Sequence, residues 1–310
     1  MPRTVVIGAI NWDVSLFISR FPGRGEEVVV REITRVPGGK AGNVAVAAAR
    51  LLGLDKVAIL GALGKDTIAD EHVRVFRNEG ILVDGLKFDE SKESGQAYIL
   101  IDENGENVIY THPGANTTMT PQDLDTKVRK RMISEASIIT IMDPPFETAL
   151  RLAEQAKLSN KVVAWDPGVK SELGLTKTGQ LVRNVDYVIA NEFEMVHLTG
   201  AREPEAAAEK LCEFNSGLKF IVKLGAKGSI FFHQKDRLTT KPLDLLAFGL
   251  KTVNTVGCGD AFMGAFVAAL SEGKSDLEAL QWANCAGGLN STRQETRGSP
   301  DRKTLLKYLN

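Results

Sequence analysis

Short, continuously apolar runs rich in β-branched residues alternate along this chain with longer stretches of helical periodicity, and few folds accommodate that alternation. The runs at 4–10, 57–60, 138–141, 162–165, 187–190, 220–223 and 229–232 read as strands. Between them, helices are expected at 41–52, 66–79, 120–133, 146–156, 192–198, 203–214, 259–271 and 276–292. A strand that is apolar at consecutive positions must be covered on both faces, and the intervening helices supply the cover. The expectation is an α/β fold, a mostly parallel sheet between two layers of helices.

Two stretches depart from this pattern. Residues 14–36 and 95–112 contain alternating segments such as Val28-Val29-Val30-Arg31-Glu32 and Tyr98-Ile99-Leu100-Ile101; the latter meets Asn107-Val108-Ile109-Tyr110 across the turn Asp102-Glu103-Asn104-Gly105. That second stretch predicts a hairpin. Both are read as a small antiparallel sheet projecting from the main one and able to act as a lid, although periodicity alone also fits a plain extension of the main sheet. With no internal repeat, low-complexity tract or linker, residues 1–310 form one expected domain.

Charge narrows the partners. The 310 residues carry 38 Lys+Arg against 39 Asp+Glu, a formal net charge of -1, with both signs interleaved. A nucleic-acid binder shows a basic excess or stripe, so the expected ligands are small neutral or anionic molecules and not nucleic acid. Cys212, Cys258 and Cys285 lie far apart without a CxxC pair, which argues against a disulfide framework and for a reducing cytoplasm. No apolar run approaches the roughly 18 residues of a spanning helix, and the N-terminal run meets Asp13 too early for a signal sequence. Neither membrane insertion nor export is expected. The histidines at 72, 112, 197 and 233 form no HExxH or close pair, so a metal-hydrolase reading lacks support.

Two glycine motifs carry the chemistry. Thr255-Val256-Gly257-Cys258-Gly259-Asp260-Ala261-Phe262-Met263-Gly264 leads into a helix of small residues. Glycines at a helix start let backbone N–H groups converge on an anion, and the helix adds partial positive charge. Asp260 in the first turn is placed to take a proton from a hydroxyl while those N–H groups stabilise the phosphoryl group under attack. Taken alone, Asp260 also fits an ordinary acidic residue favoured by the helix dipole. Val36-Pro37-Gly38-Gly39-Lys40-Ala41-Gly42-Asn43 likewise opens a helix, joining close backbone approach to a cation and an amide that can reach sugar hydroxyls. Neither motif is a Walker loop, and Gly61-Ala62-Leu63-Gly64-Lys65-Asp66-Thr67 is too short for one. Gly8-Ala9-Ile10-Asn11 is not the G-x-G-x-x-G turn of a dehydrogenase.

The motif at 38–43 with Val44-Ala45-Val46-Ala47-Ala48-Ala49-Arg50-Leu51, followed much later by 254–264, resembles the two signatures of the ribokinase family, the PfkB carbohydrate kinases. The resemblance covers essentially the whole chain. It implies a ribokinase-like three-layer α/β/α Rossmann-like domain with a small β-sheet lid, and ATP-dependent transfer to a sugar hydroxyl. By position, Asp260 is implied as the base, with Gly257, Cys258 and Gly259 as the anion hole. Asn11 and Asp13 match the sugar-binding end of the first strand, and Gly39, Lys40, Asn43 and Glu106 complete the implied acceptor site. Asn191 and Glu194 match an Asn-x-x-Glu motif that organises Mg2+ and phosphates largely through water, as befits an ion that dehydrates reluctantly. The same pair is also a helix-capping pattern. Lys223, Gly225 and Gly228 fall in a segment resembling the nucleotide hairpin, and Asn284 in the helix bordering adenine. Cys258 stands where relatives often have Ala and reads as a packing residue; a helix N-terminus lowering its pKa would open oxidative or alkylating inactivation.

The acceptor expected first is ribose, phosphorylated at its primary hydroxyl, because 105–116 and Pro37-Gly38-Gly39-Lys40 resemble ribokinases. Met142-Asp143-Pro144-Pro145-Phe146 and Trp165-Asp166-Pro167-Gly168 resemble relatives that phosphorylate nucleosides, so a ribonucleoside comes second, with Trp12, Tyr98 and Tyr110 as candidates to frame a base. A sugar phosphate or 2-keto-3-deoxy sugar acid comes third and would use Arg31 or His112. Ribokinases usually carry Asp where this chain has Asn254, at the site of an activating monovalent cation. The amide keeps an oxygen ligand for K+ and loses the charge. Exposed sheet edges and lid faces predict a homodimer through the lid. The alternative from another class is a catalytically silent sugar or nucleotide sensor.

Overall fold

Residues 1–309 are described by a computed structural model; Asn310, the last residue of the expected domain, lies outside the described residues. The strands in chain order are β1 (Thr4–Gly8), β2 (Asn11–Phe17), β3 (Glu32–Gly38), β4 (Val57–Gly64), β5 (Leu86–Asp89), β6 (Gly95–Ile101), β7 (Asn107–His112), β8 (Ile138–Met142), β9 (Val162–Asp166), β10 (Tyr187–Asn191), β11 (Lys219–Lys223), β12 (Ser229–His233) and β13 (Asp236–Thr240). Nine of them form one sheet in the order β13-β12-β11-β10-β9-β8-β1-β4-β5. It is parallel from β11 to β5, with β12 and β13 added antiparallel at one edge.

β1 shows why the expected runs are apolar at every position. Val6 enters the core on one face of the sheet, Val5 and Ile7 the core on the other. Helices Lys40–Leu52, Cys258–Ser271 and Asp276–Ser291 close the first face, and Phe146–Leu158 and Pro204–Phe214 the second. Small residues let two of these helices pack unusually close: a Cβ on Gly264 would lie 2.5 Å from Ala47 Cβ and 2.9 Å from Val44 O. That approach sets the starts of helices Lys40–Leu52 and Cys258–Ser271 side by side.

The second sheet has the order β3-β2-β6-β7. The hairpin β6-β7 forms as expected, but β2 and β6 pair in parallel, so the small sheet is mixed and not purely antiparallel. Its first strand starts at Asn11, earlier than 14, and its partner is β3, not Val28–Glu32, since Val28 to Val30 lie outside any strand. The register Asn11↔Gly38 and Asp13↔Val36 explains the shift. Pairing runs the strands up to the glycine motif itself, so the small sheet and the helix Lys40–Leu52 share one loop.

The expected helix at 120–133 is broken into a 3-10 turn, Pro121–Asp125, and a helix, Lys127–Glu135. Thr120 and Asp123 form a capping box, and Thr126 accepts from Arg129 N at 3.3 Å, so a second N-cap interrupts the first. Helices Gly174–Val182 and Arg302–Leu309 and strands β5 and β13 carried no sufficient sequence signal. β13 is a polar edge strand, and Gly174–Val182 opens on a glycine. Among the described residues no helix is long and apolar enough to cross a membrane.

Candidate active site

The carboxyl ends of parallel strands, where open α/β sheets form their crevices, bring four charged residues together. Asp166 ends β9, Lys223 ends β11, Asp143 follows β8 and Glu194 follows β10. Lys40, at the start of its helix, reaches into this group: its Nζ lies 3.0 Å from Asp166 Oδ1, 3.1 Å from Glu194 Oε1 and 3.8 Å from Asp143 Oδ2. Lys223 Nζ donates to Asp166 Oδ2 at 2.7 Å. Burial would push the Asp166 carboxyl up, but Lys223 and Lys40 outweigh it and hold the group below the usual carboxylate range. For Lys40, burial opposes the charge and loses to Asp166, Glu194 and Asp143, which hold it ionised.

Beside this group the two glycine motifs meet. Asn43 Nδ2 donates to Asp260 Oδ2 at 2.8 Å. Asp260 lies in the first turn of its helix, whose N-cap is Gly257 at φ +81; a Cβ there would fall 2.2 Å from Thr296 O. Burial pushes Asp260 up to about 6 against the pull of Lys40 and the Asn43 hydrogen bond. Asn11 and Asp13 are alternate residues of β2 and so share one face. Asn11 Oδ1 accepts from Asn116 Nδ2 at 2.8 Å. Asp13 is 7% exposed; burial pushes it up to about 7, with Arg297 opposing and Asp260 adding to the rise. Gly39 caps helix Lys40–Leu52 between these two groups.

On the other side, Gly259 approaches Lys223, whose Nζ would lie 3.5 Å from a Cβ on that glycine. Gly225 and Gly228 bracket the 3-10 turn between β11 and β12, and Gly228 packs so tightly that a Cβ would meet Thr240 O at 2.1 Å. Asn191 and Glu194 do form a capping box: Asn191 Oδ1 accepts from Glu194 N at 2.8 Å, and Glu194 Oε2 from Asn191 N at 2.9 Å. The cap uses Oε2, while Oε1 faces Lys40. Among the described residues no three His, Cys, Asp or Glu side chains are grouped to hold a metal ion. A divalent ion would find no protein cage here and would be held through phosphate oxygens and water.

Four expected residues are placed differently. Glu106 sits exposed in the β6-β7 turn, where Asn107 pairs with Ile101 and Ile101 with Phe17. That is the length of β2 away from Asn11, about 20 Å at a strand's rise of roughly 3.3 Å per residue. The structure does not bring Glu106 to Asp13. Asn284 is buried and donates to Ser229 Oγ at 3.1 Å and Thr240 Oγ1 at 2.8 Å, tying its helix to β12 and β13. Asn254 donates to Gln294 O at 2.8 Å and accepts from Val256 N at 3.0 Å, which joins two loops. The Cys258 thiol is pushed up, not down: burial dominates, against a weak contact from Asn290 Nδ2 at 3.7 Å.

The sequence offered Asp143 and Asp166 only within segments resembling relatives that phosphorylate nucleosides, and gave no role to Arg297 or Asn116. For the two aspartates a signal existed. Each stands directly at the carboxyl end of an apolar run and before Pro. Arg297 left none, since only the fold carries its loop back to Asn43.

Three comparisons place this geometry among known proteins. The chain matches the family model described as pfkB family carbohydrate kinase over residues 1–303. It is 29% identical to the bifunctional ribokinase/ribose-5-phosphate isomerase A of Fructilactobacillus sanfranciscensis; the match takes in 100% of this chain, which spans 56% of that protein's length. It is 28% identical to the ATP-dependent ribose-1-phosphate kinase of Halopiger xanaduensis, covering 100% of this chain and 98% of the other. Among solved structures, Arabidopsis thaliana ribokinase complexed with ribose and ATP superposes with a TM-score of 0.87 at 27% identity, covering 100% of this chain and 99% of that one. The chain belongs to the pfkB family of carbohydrate kinases and is an ATP-dependent phosphotransferase of that family.

Proposed function

We propose that this chain transfers the γ-phosphoryl group of ATP to the primary hydroxyl of ribose, with Asp260 as the base. One observation carries the reading: two glycine motifs remote in sequence meet through the 2.8 Å hydrogen bond from Asn43 to Asp260. That bond occupies Oδ2 and leaves Oδ1 to take the hydroxyl proton as the new O–P bond forms and the bond to ADP breaks. The start of helix Cys258–Ser271, with Gly257, Cys258 and Gly259, turns its N–H groups and dipole toward the charge that develops. ATP with Mg2+ supplies the electrophilic phosphoryl group and charge neutralisation. Lys223, Gly225 and Gly228 would hold the nucleotide, and Glu194 would hold the ion through water.

The choice of ribose rests on where the expected partners of the other acceptors lie. Of the two cations expected to meet a phosphorylated acceptor, Arg31 sits beside Phe17 at the far end of β2 from Asp13 and pairs with Glu103, and His112 Nε2 lies 3.3 Å from Glu93. A nucleoside base needs aromatic walls on the Asp13 face. Trp12, Tyr98 and Tyr110 instead follow the opposite alternation in the paired strands, since Asp13 aligns with Ala97 while Tyr98 aligns with Val14 and Tyr110. A neutral polyol held by Asn11, Asp13 and Asn43 meets no such conflict.

In this reading the small sheet closes over that acceptor and excludes water. Ile109 and Tyr110 are exposed on β7 and suit a homodimer through the lid, which sedimentation would measure. With its three cysteines free, the chain fits a cytoplasmic enzyme. Since the Asn254 amide already joins two loops, turnover is expected to be equal with K+ and with tetramethylammonium. The decisive experiment is acceptor-dependent ADP release with ribose, adenosine, ribose 1-phosphate and 2-keto-3-deoxygluconate, with ADP tested in parallel as donor. Ribose should give the highest kcat/KM. A higher value for ribose 1-phosphate or adenosine would replace the acceptor, and no turnover with any of them would favour a sensor.

A further inference from the structure

Arg297 lies in the loop between helices Asp276–Ser291 and Arg302–Leu309, and its guanidinium enters the gap behind the two glycine motifs. Nε donates to Asn43 Oδ1 at 2.9 Å, and Nη2 donates to Gly38 O at 3.0 Å. The side chain lies over the Phe76 ring, 5.4 Å from its centroid. Its backbone is held in turn, because Arg50 Nη1 donates to Arg297 O at 2.7 Å.

We propose that Arg297 is a positioning residue: it fixes which way the Asn43 amide faces and thereby holds Asp260 for proton transfer. The argument follows from donor and acceptor chemistry. A guanidinium only donates and an ionised carboxylate only accepts, while an amide offers one oxygen and one NH2 group. With Arg297 on Oδ1, the NH2 must face Asp260 Oδ2, where it is found. Without Arg297 the amide is free to turn about its last bond, and its oxygen would then oppose the carboxylate. The same guanidinium holds Gly38, whose backbone lies against the Asp13 carboxyl. One side chain thus anchors both the base and the wall of the acceptor site.

This inference rests on Asp260 being the base, and the test separates the two claims. The measurement is a double-mutant cycle with Arg297→Met and Asn43→Ala, assayed by ADP release with the acceptor that the wild-type chain uses best. Arg297→Met should lower kcat by roughly 10- to 100-fold while the KM for ATP stays within about twofold. In the Asn43→Ala background the same change should cost less than about threefold, because the contact it acts through is gone. An equal loss in both backgrounds, or none in either, overturns the proposal. If Arg297→Met does not melt cooperatively, Arg297→Lys completes the cycle, since lysine lacks the planar fork that reaches Asn43 Oδ1 through Nε and Gly38 O through Nη2. A readout independent of turnover is the pair of Asn43 side-chain amide proton signals, expected shifted and slowly exchanging with solvent in the wild type, and moved toward the positions of a free amide with faster exchange in the variant; unchanged signals also overturn it. Should Asp260→Asn retain turnover, the base assignment falls, whatever the cycle shows. Should Asp260→Asn be inactive and the cycle additive, only the role of Arg297 falls.

Discussion

Asn43 Nδ2 donates to Asp260 Oδ2 across the close contact of helices Lys40–Leu52 and Cys258–Ser271, which Gly264 and Ala47 make possible. The bond leaves one carboxylate oxygen to act, and replacing the carboxylate removes the proton acceptor proposed for the step. Asp260→Asn is expected to lower kcat by about 10²- to 10⁴-fold. Affinity for ATP, read by isothermal titration, should change little, because Lys223, Gly225 and Gly228 are untouched. Retained turnover would remove Asp260 from the mechanism.

The pH profile should report the same carboxylate. Burial raises Asp260 to about 6, and a base works only when ionised, so kcat/KM is expected to fall as pH drops through about 6. Lys40 is the strongest group holding that value down. Lys40→Met should therefore move the acid limb to higher pH, whereas an unmoved limb would assign it to a group that Lys40 does not face.

How much of this was legible in the sequence depends on where each interaction closes. The strand and helix alternation is local, and Val5, Val6 and Ile7 already required cover on both faces. The glycine motifs are also local, so Lys40, Asn43 and Asp260 could be named before their contact was seen. Asp166 needed the strand order, because its lysines come from a helix start and from β11. Arg297 needed the full chain path. The start of β2 was misplaced because its pairing with β3 is set by the loop at Gly38 and not by alternation within 14–36. Glu106 lies far from Asn11 for a related reason, since a turn residue matched by sequence lies at whichever end of the hairpin the register puts it.

Gly38 leaves room for the Asp13 carboxyl by having no side chain. A Cβ there would fall 2.0 Å from Asp13 Oδ2 and 2.4 Å from Oδ1. Gly38→Ala should push the carboxylate out of place and raise the acceptor KM by on the order of 10-fold or more, with a smaller effect on the KM for ATP. Equal effects on both would mean that the loop, not Asp13, had moved.

Asp166 is the hub of the buried ions, 2% exposed and bonded to Lys40 and Lys223. Asp166→Leu leaves both ammonium groups short of a partner and is expected to cost about 3–5 kcal/mol in urea unfolding at pH 7. Because the folded-state pKa of Asp166 is depressed, its contribution is present above the ordinary carboxylate pKa and is lost as pH falls through the lower folded value. The variant and the wild type should therefore converge only in strong acid.

Asp13 works in the opposite sense. Burial first, and then Asp260, raise it to about 7, a value that already includes the attraction of Arg297. For a group raised in the folded state, stability is fully present below the unfolded pKa and is lost as pH rises through the folded one. Above pH 7 the protein thus holds an ionised carboxylate that the unfolded chain would hold at lower cost. Asn copies the shape of the protonated acid without that cost. Asp13→Asn is expected to be more stable than the wild type at pH 8 by a few kcal/mol, on the order of 1.4 kcal/mol for each pH unit between the unfolded and folded values. The gain should shrink toward pH 5 and vanish near the unfolded carboxylate pKa. The same substitution should weaken acceptor binding, since a carboxylate that accepts from two hydroxyls becomes an amide that accepts through one oxygen. Urea melts at pH 5 and pH 8, paired with acceptor KM values, read both effects. A variant no more stable than the wild type at pH 8 would show that Asp13 stores no such cost.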